Sequence, residues 1–249
     1  MKKSEDEYTY IALDLETTGL SPIDNRIIEI GAAKIVNGVI EDKFITFVNP
    51  QCHIPNFITD ITGISDEDVE NAPVFEDICG RLIEFLIGYP LLGHNIIMDY
   101  SMLKESFLRC GIKYSTEGID TLKIAKSILP EAEKKSLEYL TEYLGIEVNA
   151  HHRAYDDAIA AYELYTILLK KAKEDNIYET DDIAKIFGSK ELVYKVKKAS
   201  PITPKQVRFL GALIADRNIT VDRDIKSLTK SEASRAIDEI LSGDFKGFK

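Results

Sequence analysis

Hydrophobic positions first alternate along the chain and then recur in threes and fours. Tyr8-Thr-Tyr-Ile-Ala-Leu-Asp14 is rich in β-formers and predicts a first strand. Arg26–Val36 and Val39–Val48 are two more strand-like runs, and Asn37-Gly38 lies between them. Asn-Gly at that place predicts a tight hairpin, because both central residues of a type I′ turn need positive φ. After Pro73 the period lengthens: Val74, Phe75, Ile78, Leu82, Ile83 and Leu86 recur at helical spacing. Pro90–Gly93 is short and apolar, as a buried strand would be, and Met98–Cys110 reads as a helix stopped at Gly111. Further helices are expected over Thr121–Leu129 before Pro130, over Ser136–Leu144 before Gly145, and over 153–173, the longest. An antiparallel start followed by helices with inserted strands predicts a mixed α/β domain.

The pattern shifts again between Asp175 and Ser200. That stretch holds Gly188-Ser189 and the basic residues Lys195, Lys197 and Lys198, and it closes on Ser200-Pro-Ile-Thr-Pro204. It predicts a main domain over 8–174, a basic connector over 175–200 and a small helical module over 201–245. In the module, Thr203-Pro204 opens one helix with Val207, Leu210, Leu213 and Ile214 on its apolar face. Thr229-x-x-Glu232 is a capping box for a second helix bearing Ala233, Ala236, Ile237 and Ile240. Gln206-Val-Arg-Phe-Leu210 is faintly similar to a sliding-clamp pentapeptide, although a Gln with two apolar neighbours is ordinary on any helix.

Composition adds exclusions. With 249 residues and 45% apolar content, the chain can build a proper core, which excludes wholesale disorder. No apolar run approaches the ~20 residues needed to cross a bilayer, so no membrane partner is expected. Met1–Glu7 is charged with no apolar stretch behind it, unlike a signal peptide. Cys52, Cys79 and Cys110 form no CxxC pair, which favours small apolar roles in a reduced, cytoplasmic setting over a disulfide framework or structural zinc. A net charge of -11 argues at first against a nucleic-acid partner. The average hides a split. Residues 188–249 hold 13 Lys+Arg against 8 Asp+Glu, leaving 18 against 34 for residues 1–187.

Three acidic sites carry chemistry. Asp14 and Glu16 are two apart at a strand end and therefore point to one face, where they repel unless a cation lies between them. Acidic oxygen clusters suit Mg²⁺ or Mn²⁺; a solvated strand end is the plainer reading. Asp99, in Gly93-His-Asn-Ile-Ile-Met-Asp99, sits where a strand gives way to a helix, a place that also favours an acid through the helix dipole alone. In His151-His-Arg-Ala-Tyr-Asp-Asp157, two registers place a His five residues before an Asp: His151 with Asp156, or His152 with Asp157. Asp157 continues into Ala161, Leu164 and Leu168, an apolar stripe; Asp156 continues into Ala160, Glu163, Ile167 and Lys170. An acid on a buried stripe is costly unless paired or metal-bound, so Asp157 and His152 are the functional candidates.

Taken together, Asp14-x-Glu16-Thr-Thr-Gly, His94-Asn95-x-x-x-Asp99 and His152-Arg-Ala-Tyr-Asp-Asp157-Ala resemble the motifs of the DEDDh (DnaQ-like) exonucleases, the group containing the proofreading epsilon subunit of bacterial DNA polymerase III. Arg153 stands where the sister DEDDy branch carries Tyr, and the likeness covers about residues 8–172. It implies an RNase H-like fold, a mixed β-sheet flanked by helices. It further implies 3′→5′ hydrolysis at nucleic-acid 3′ ends, single-stranded DNA before RNA, using two Mg²⁺ or Mn²⁺ ions. Asp14, Glu16, Asp99 and Asp157 would hold the metals, with His152 as general base. Thr17, Thr18, Ile64, His94, Asn95 and Met98 would hold the 3′ end; Ile64 and Met98 are equally ordinary core positions, and His94 an ordinary loop histidine. An RNA-directed member of the group and a non-turning binding subunit are the alternatives. Residues 201–245 would dock nucleic acid, a DNA polymerase or another replication protein, or simply stabilise the body.

Overall fold

The computed structural model describes residues 9–148, 152–174, 179–194, 200–243, 245 and 247–248. Tyr8, His151, residues 175–178 and Lys195, Lys197 and Lys198 lie outside that set. Six strands form one sheet in the order β3-β2-β1-β4-β5-β6. They are β1 (Thr9–Thr17), β2 (Ile27–Val36), β3 (Val39–Phe47), β4 (Leu91–Gly93), β5 (Glu117–Asp120) and β6 (Lys190–Glu191). The β3-β2-β1 half is antiparallel, β1-β4-β5 is parallel, and β6 returns antiparallel. This is the mixed sheet flanked by helices that the sequence predicts. Asn37 and Gly38 both have positive φ, 50° and 82°, at the hairpin tip.

Side-chain parity on β1 sorts the layers. Tyr10 and Ala12 face a cluster built with α5 (Thr121–Ile128), α6 (Leu137–Leu144) and α7 (Ala154–Glu174). Ile11, Leu13 and Leu15 face the opposite cluster, with α3 (Phe75–Leu86) and α4 (Ile97–Arg109). Asp14 and Glu16 continue the first set, so both carboxylates point to the α7 side. Every residue of β2 from Ile27 to Ala33 is buried, as a central strand covered on both faces requires.

α7 lies unusually close to the sheet. A Cβ placed on Gly31 would meet Tyr155 N at 2.1 Å and the Ala154 carbonyl carbon at 2.2 Å. Only glycine admits the first turn of α7 at that distance. Farther along, Tyr162 donates its hydroxyl to Gly38 O at the hairpin tip. Gly93 plays a similar part beneath β4, where a Cβ would meet Leu13 O at 2.7 Å.

Several elements go beyond the expectation. The first strand runs through Asp14 to Thr17. Two short helices, α1 (Asn56–Thr62) and α2 (Asp66–Val69), pack Ile54, Ile58, Ile64 and Val69 around Ile28. The stretch expected as a connector is partly folded onto the body. α8 (Thr180–Phe187) buries Phe187 against Tyr165, and β6 and Leu192 join the sheet and its core. Three charged residues in eight, Asp181, Asp182 and Lys185, hide that apolar edge in the sequence. Beyond it, α9 (Pro204–Asp216), a 3₁₀ turn (Ile225–Ser227) and α10 (Lys230–Ser242) close on their own cluster of Leu210, Leu228, Ala233, Ala236 and Ile240. Both helices start with capping boxes: the one at Thr229 is expected from the sequence, and the Thr203–Gln206 box adds to the expected Thr-Pro entry. Gln206 is spent inside this module, donating to Lys230 O and Ser234 Oγ. Among the described residues, no helix is long and apolar enough to cross a membrane.

Gly31→Ala tests the close approach. The clash is with backbone and cannot be relieved by a rotamer, so a loss of about 3 kcal/mol, the upper end of overpacking costs, is expected in urea denaturation. An unchanged midpoint would mean that α7 can lift off β2 freely.

Candidate active site

Three elements meet at one end of the sheet. β1 supplies Asp14 and Glu16. α4 begins just past β4 and supplies Asp99, which is 8% exposed and accepts a hydrogen bond from Leu15 N (3.2 Å). α7 supplies Asp157 from its first turn. Asp157 Oδ2 accepts the backbone N–H of His152 at 3.0 Å. His152 is exposed and has φ 62°, a backbone conformation uncommon outside glycine, and that hydrogen bond helps hold it there. Ligand atoms of Glu16, His152 and Asp157 all lie within 4.8 Å of one another. Asp157 and His152 thus lie beside Glu16 of β1, while His151, the histidine of the other register, lies outside the described residues. Ala160 is buried on the stripe expected to be more polar.

The crowding is visible in the acidities. Loss of water, then the charges of Asp99, Glu16, Asp157 and Glu29, hold the Asp14 carboxyl well above the usual range. Burial, then Asp157 and Glu29, push Glu16 up to about 7, with Arg153 pulling the other way. Burial pushes Asp99 up to about 8, against the backbone hydrogen bonds it accepts. An all-oxygen cluster with one imidazole at its rim, short of positive charge, is a donor set suited to Mg²⁺ or Mn²⁺.

Glu29 is the residue whose part the motifs do not reveal. It stands directly across the ladder from Glu16 and is 2% exposed. Its Oε1 accepts Arg153 Nη2 at 2.7 Å, and its Oε2 accepts the Ala154 N–H at 3.1 Å. One buried carboxylate thus caps the first turn of α7 and neutralises Arg153, the neighbour of His152. The signal was present in the sequence: a lone acid in the run Ile27–Ala33, whose other residues are all apolar or small.

The expected 3′-end contacts divide into two kinds. Thr17 donates its hydroxyl to Gly19 O, and Thr18 Oγ1 accepts Arg26 N. Asn95, with φ 65°, donates its N–H to Asp120 Oδ1, and Met98 is partly exposed. Ile64 is 2% exposed within the small cluster around Ile28. Both ring nitrogens of His94 are engaged, Nδ1 with Thr121 Oγ1 (2.9 Å) and Nε2 with Lys135 O (2.7 Å). Burial lowers its pKa. Asp156 is partly exposed beside the cluster. Burial pushes the Cys110 thiol up to about 12, further raised by Cys79, which keeps it protonated.

The chain is similar to known proteins in both sequence and fold. The RNase T-type exonuclease family model matches residues 11–165. The chain is 36% identical over 218 residues to a DNA polymerase III of PolC type from Caldanaerobacter subterraneus subsp. tengcongensis, covering 86% of the chain and 16% of that relative. The chain thus spans only a small part of such polymerases. Among solved structures, exonuclease X in complex with 5′ overhanging duplex DNA superposes with TM-score 0.52 at 24% identity, over 73% of this chain and 99% of that one. The nuclease domain of 3'hExo, a DEDDh family member bound to rAMP, gives TM-score 0.60 at 19% identity, over 77% and 100%. These two likenesses concern the fold.

Two predictions follow from the charges. Asp14, Glu16 and Asp99 keep their protons to higher pH when folded than when unfolded. The folded chain therefore binds more protons between the ordinary carboxylate range near ~4 and the raised values of about 7 to about 8. Metal-free stability is fully present below that window and falls as pH rises through it. The thermal midpoint in EDTA should drop between about pH 5 and about pH 8.5, and Mg²⁺ or Mn²⁺ should restore more at the higher pH. A midpoint that climbs over this range would contradict the cluster. The second concerns Glu29, whose side chain is 3% exposed against 46% for Arg153. Arg153→Ala strands a buried charge and should cost about 3 kcal/mol, more than Glu29→Ala, with part recovered in the double mutant. Equal and additive single effects would remove the pair's role.

Proposed function

This chain belongs to the RNase T-type exonuclease family, and from that premise we propose a metal-dependent 3′→5′ exonuclease of the DEDDh (DnaQ-like) branch that releases nucleoside monophosphates from single-stranded or frayed DNA ends. The observation that carries the reading is the convergence of Asp14, Glu16, Asp99 and Asp157 with His152 at the rim. In this reading Asp14, Glu16, Asp99 and Asp157 would hold the ions, with Asp99 fixed in place by the N–H of Leu15. Two Mg²⁺ or Mn²⁺ ions, when bound, supply an acidified water and neutralise charge on the phosphate and the leaving oxygen. His152, exposed and tethered by its backbone to Asp157, takes the proton from the attacking water as general base. Thr17, Thr18, Asn95 and Met98 contact the terminal nucleotide. Ile64 and His94, engaged internally, shape that pocket from behind.

DNA is favoured over RNA by the polymerase relative, and proofreading or repair by its being a replicative enzyme. The matched 218 residues are too many to fit within 8–174, so part of the C-terminal chain is shared with that relative too. Residues 201–245 are a separate helical module, with its own apolar cluster, for nucleic acid or a replication partner in the cytoplasm.

One assay tests the whole: 5′-labelled single-stranded DNA, duplex DNA and RNA, with EDTA and with Mg²⁺ or Mn²⁺. Stepwise shortening of single-stranded DNA, lost in EDTA and in Asp14→Ala, is expected. His152→Ala should slow it roughly 10²–10⁴-fold, the scale of a general base. Faster shortening of RNA would transfer the reading to an exoribonuclease, and no turnover with either metal would leave a binding subunit.

A further inference from the structure

The loop Gly19–Asn25 leads away from Thr17 and Thr18, and three guanidinium groups converge on its backbone. Arg26 Nη1 donates to Ile23 O (3.4 Å) and Asn25 O (3.0 Å). Arg109, the last residue of α4, donates Nη2 to Pro22 O and Ile23 O, both at 2.7 Å. Arg235 of α10 donates Nη2 to Asp24 O at 2.6 Å. Four consecutive carbonyls, 22 to 25, are thus taken by arginines from three separate parts of the chain. The loop is also braced from within. Ser21 Oγ donates to Asp24 Oδ2 (2.7 Å), Asn25 N to Ser21 O (2.8 Å), and Thr18 N to Arg26 O (2.8 Å). A Cβ on Gly19 would meet the Asn25 side chain at 2.9 Å, so the two ends of the loop lie against each other.

Arg26 and Arg109 belong to the body and hold the loop whatever the C-terminal module does. Arg235 does not. Beside it a cavity of about 350 Å³ is lined by Asn49–His53 of the body and by Glu232, Arg235 and Glu239 of α10. The hydrogen bond to Asp24 O is a specific point of attachment between the module and the loop that follows β1.

We propose that Arg235 is a positioning residue through which the C-terminal module fixes the loop Gly19–Asn25, so that docking of the module sets how tightly the active site holds a 3′ end. This rests on the exonuclease reading above. The chemistry is simple. A carbonyl held by a guanidinium cannot swing, and Thr17 and Thr18 sit at the loop's entrance. A loosened loop must be reordered each time a 3′ end binds, which weakens binding and leaves the chemical step alone. A module acting only through surface charge would respond equally to the loss of any one of its cations, wherever on its surface that cation sits.

The test uses the full chain with Arg235→Ala, Arg235→Lys and, as a charge control, Arg208→Ala on the exposed side of α9. Two readouts are taken. Backbone hydrogen exchange over residues 19–25 needs no activity, and steady-state kinetics on 5′-labelled single-stranded DNA separates KM from kcat. Arg235→Ala should speed exchange at Asn25 and raise KM roughly three- to tenfold, the net worth of one ordinary hydrogen bond, with kcat within about twofold. Arg235→Lys, which keeps the charge and stem but loses the fork, should fall between wild type and alanine, and it decides the matter if the alanine variant does not fold. Arg208→Ala should leave loop exchange as in wild type. Unchanged exchange and KM in both Arg235 variants would overturn the proposal, as would an equal effect from Arg208→Ala. A wild-type protein that never cuts DNA would defeat the exonuclease reading while the exchange data still decided whether Arg235 fixes the loop.

Discussion

The first turn of α7 rests directly on β2, and the rest of the site depends on that contact. Two residues of one strand make it possible. Gly31 removes the side chain that would hold the helix off, and Glu29 supplies the charge that receives the helix N-terminus and Arg153. Every group on α7 inherits its position from there. Asp157 comes within reach of Glu16, and His152 is held at the rim by the backbone bond to Asp157. Had β2 carried an alanine at Gly31, the same residues would exist in the same order without meeting.

The arrangement works against itself electrostatically. Four carboxylates and the buried Glu29 gather in a volume from which water is partly excluded, and the acidities of Asp14, Glu16 and Asp99 rise accordingly. The scaffold tolerates this because its own cohesion lies elsewhere, in two apolar layers on either side of β1. Glu29 is paired with Arg153 and with the Ala154 N–H, yet its charge still adds to the crowding felt by Asp14 and Glu16.

Much of this was legible in the residues. Alternation along β1 placed Asp14 and Glu16 on one face, Asn37-Gly38 marked the hairpin, and the stripe of Ala161, Leu164 and Leu168 separated Asp157 from Asp156. These signals are local: each depends on neighbours two to seven residues away. What escaped depends on distant partners. β5 and β6 are too short to show a period, and they are strands only because β4 and Thr116 offer backbone partners. The burial of α8 follows from Tyr165, and the enclosure of Ile64 from Ile28. His94 could have faced a ligand or the interior, and Lys135 O, far along the chain, takes its second nitrogen. Gln206 likewise matched a binding motif by type, while in the fold its amide is a strut between α9 and α10.

The seating of α7 on Gly31 also orders events in time. β1, β2 and β3 form a contiguous meander and can pair as soon as they leave the ribosome. Asp14 and Glu16 are then already side by side, with Glu29 still waiting for its cation. Arg153, Ala154 and Asp157 are made more than a hundred residues later. A nascent or truncated chain that ends before α7 therefore carries Asp14 and Glu16 without Asp157, and Glu29 without Arg153 or the Ala154 N–H. The acidic cluster and the body of the fold are completed in the same step.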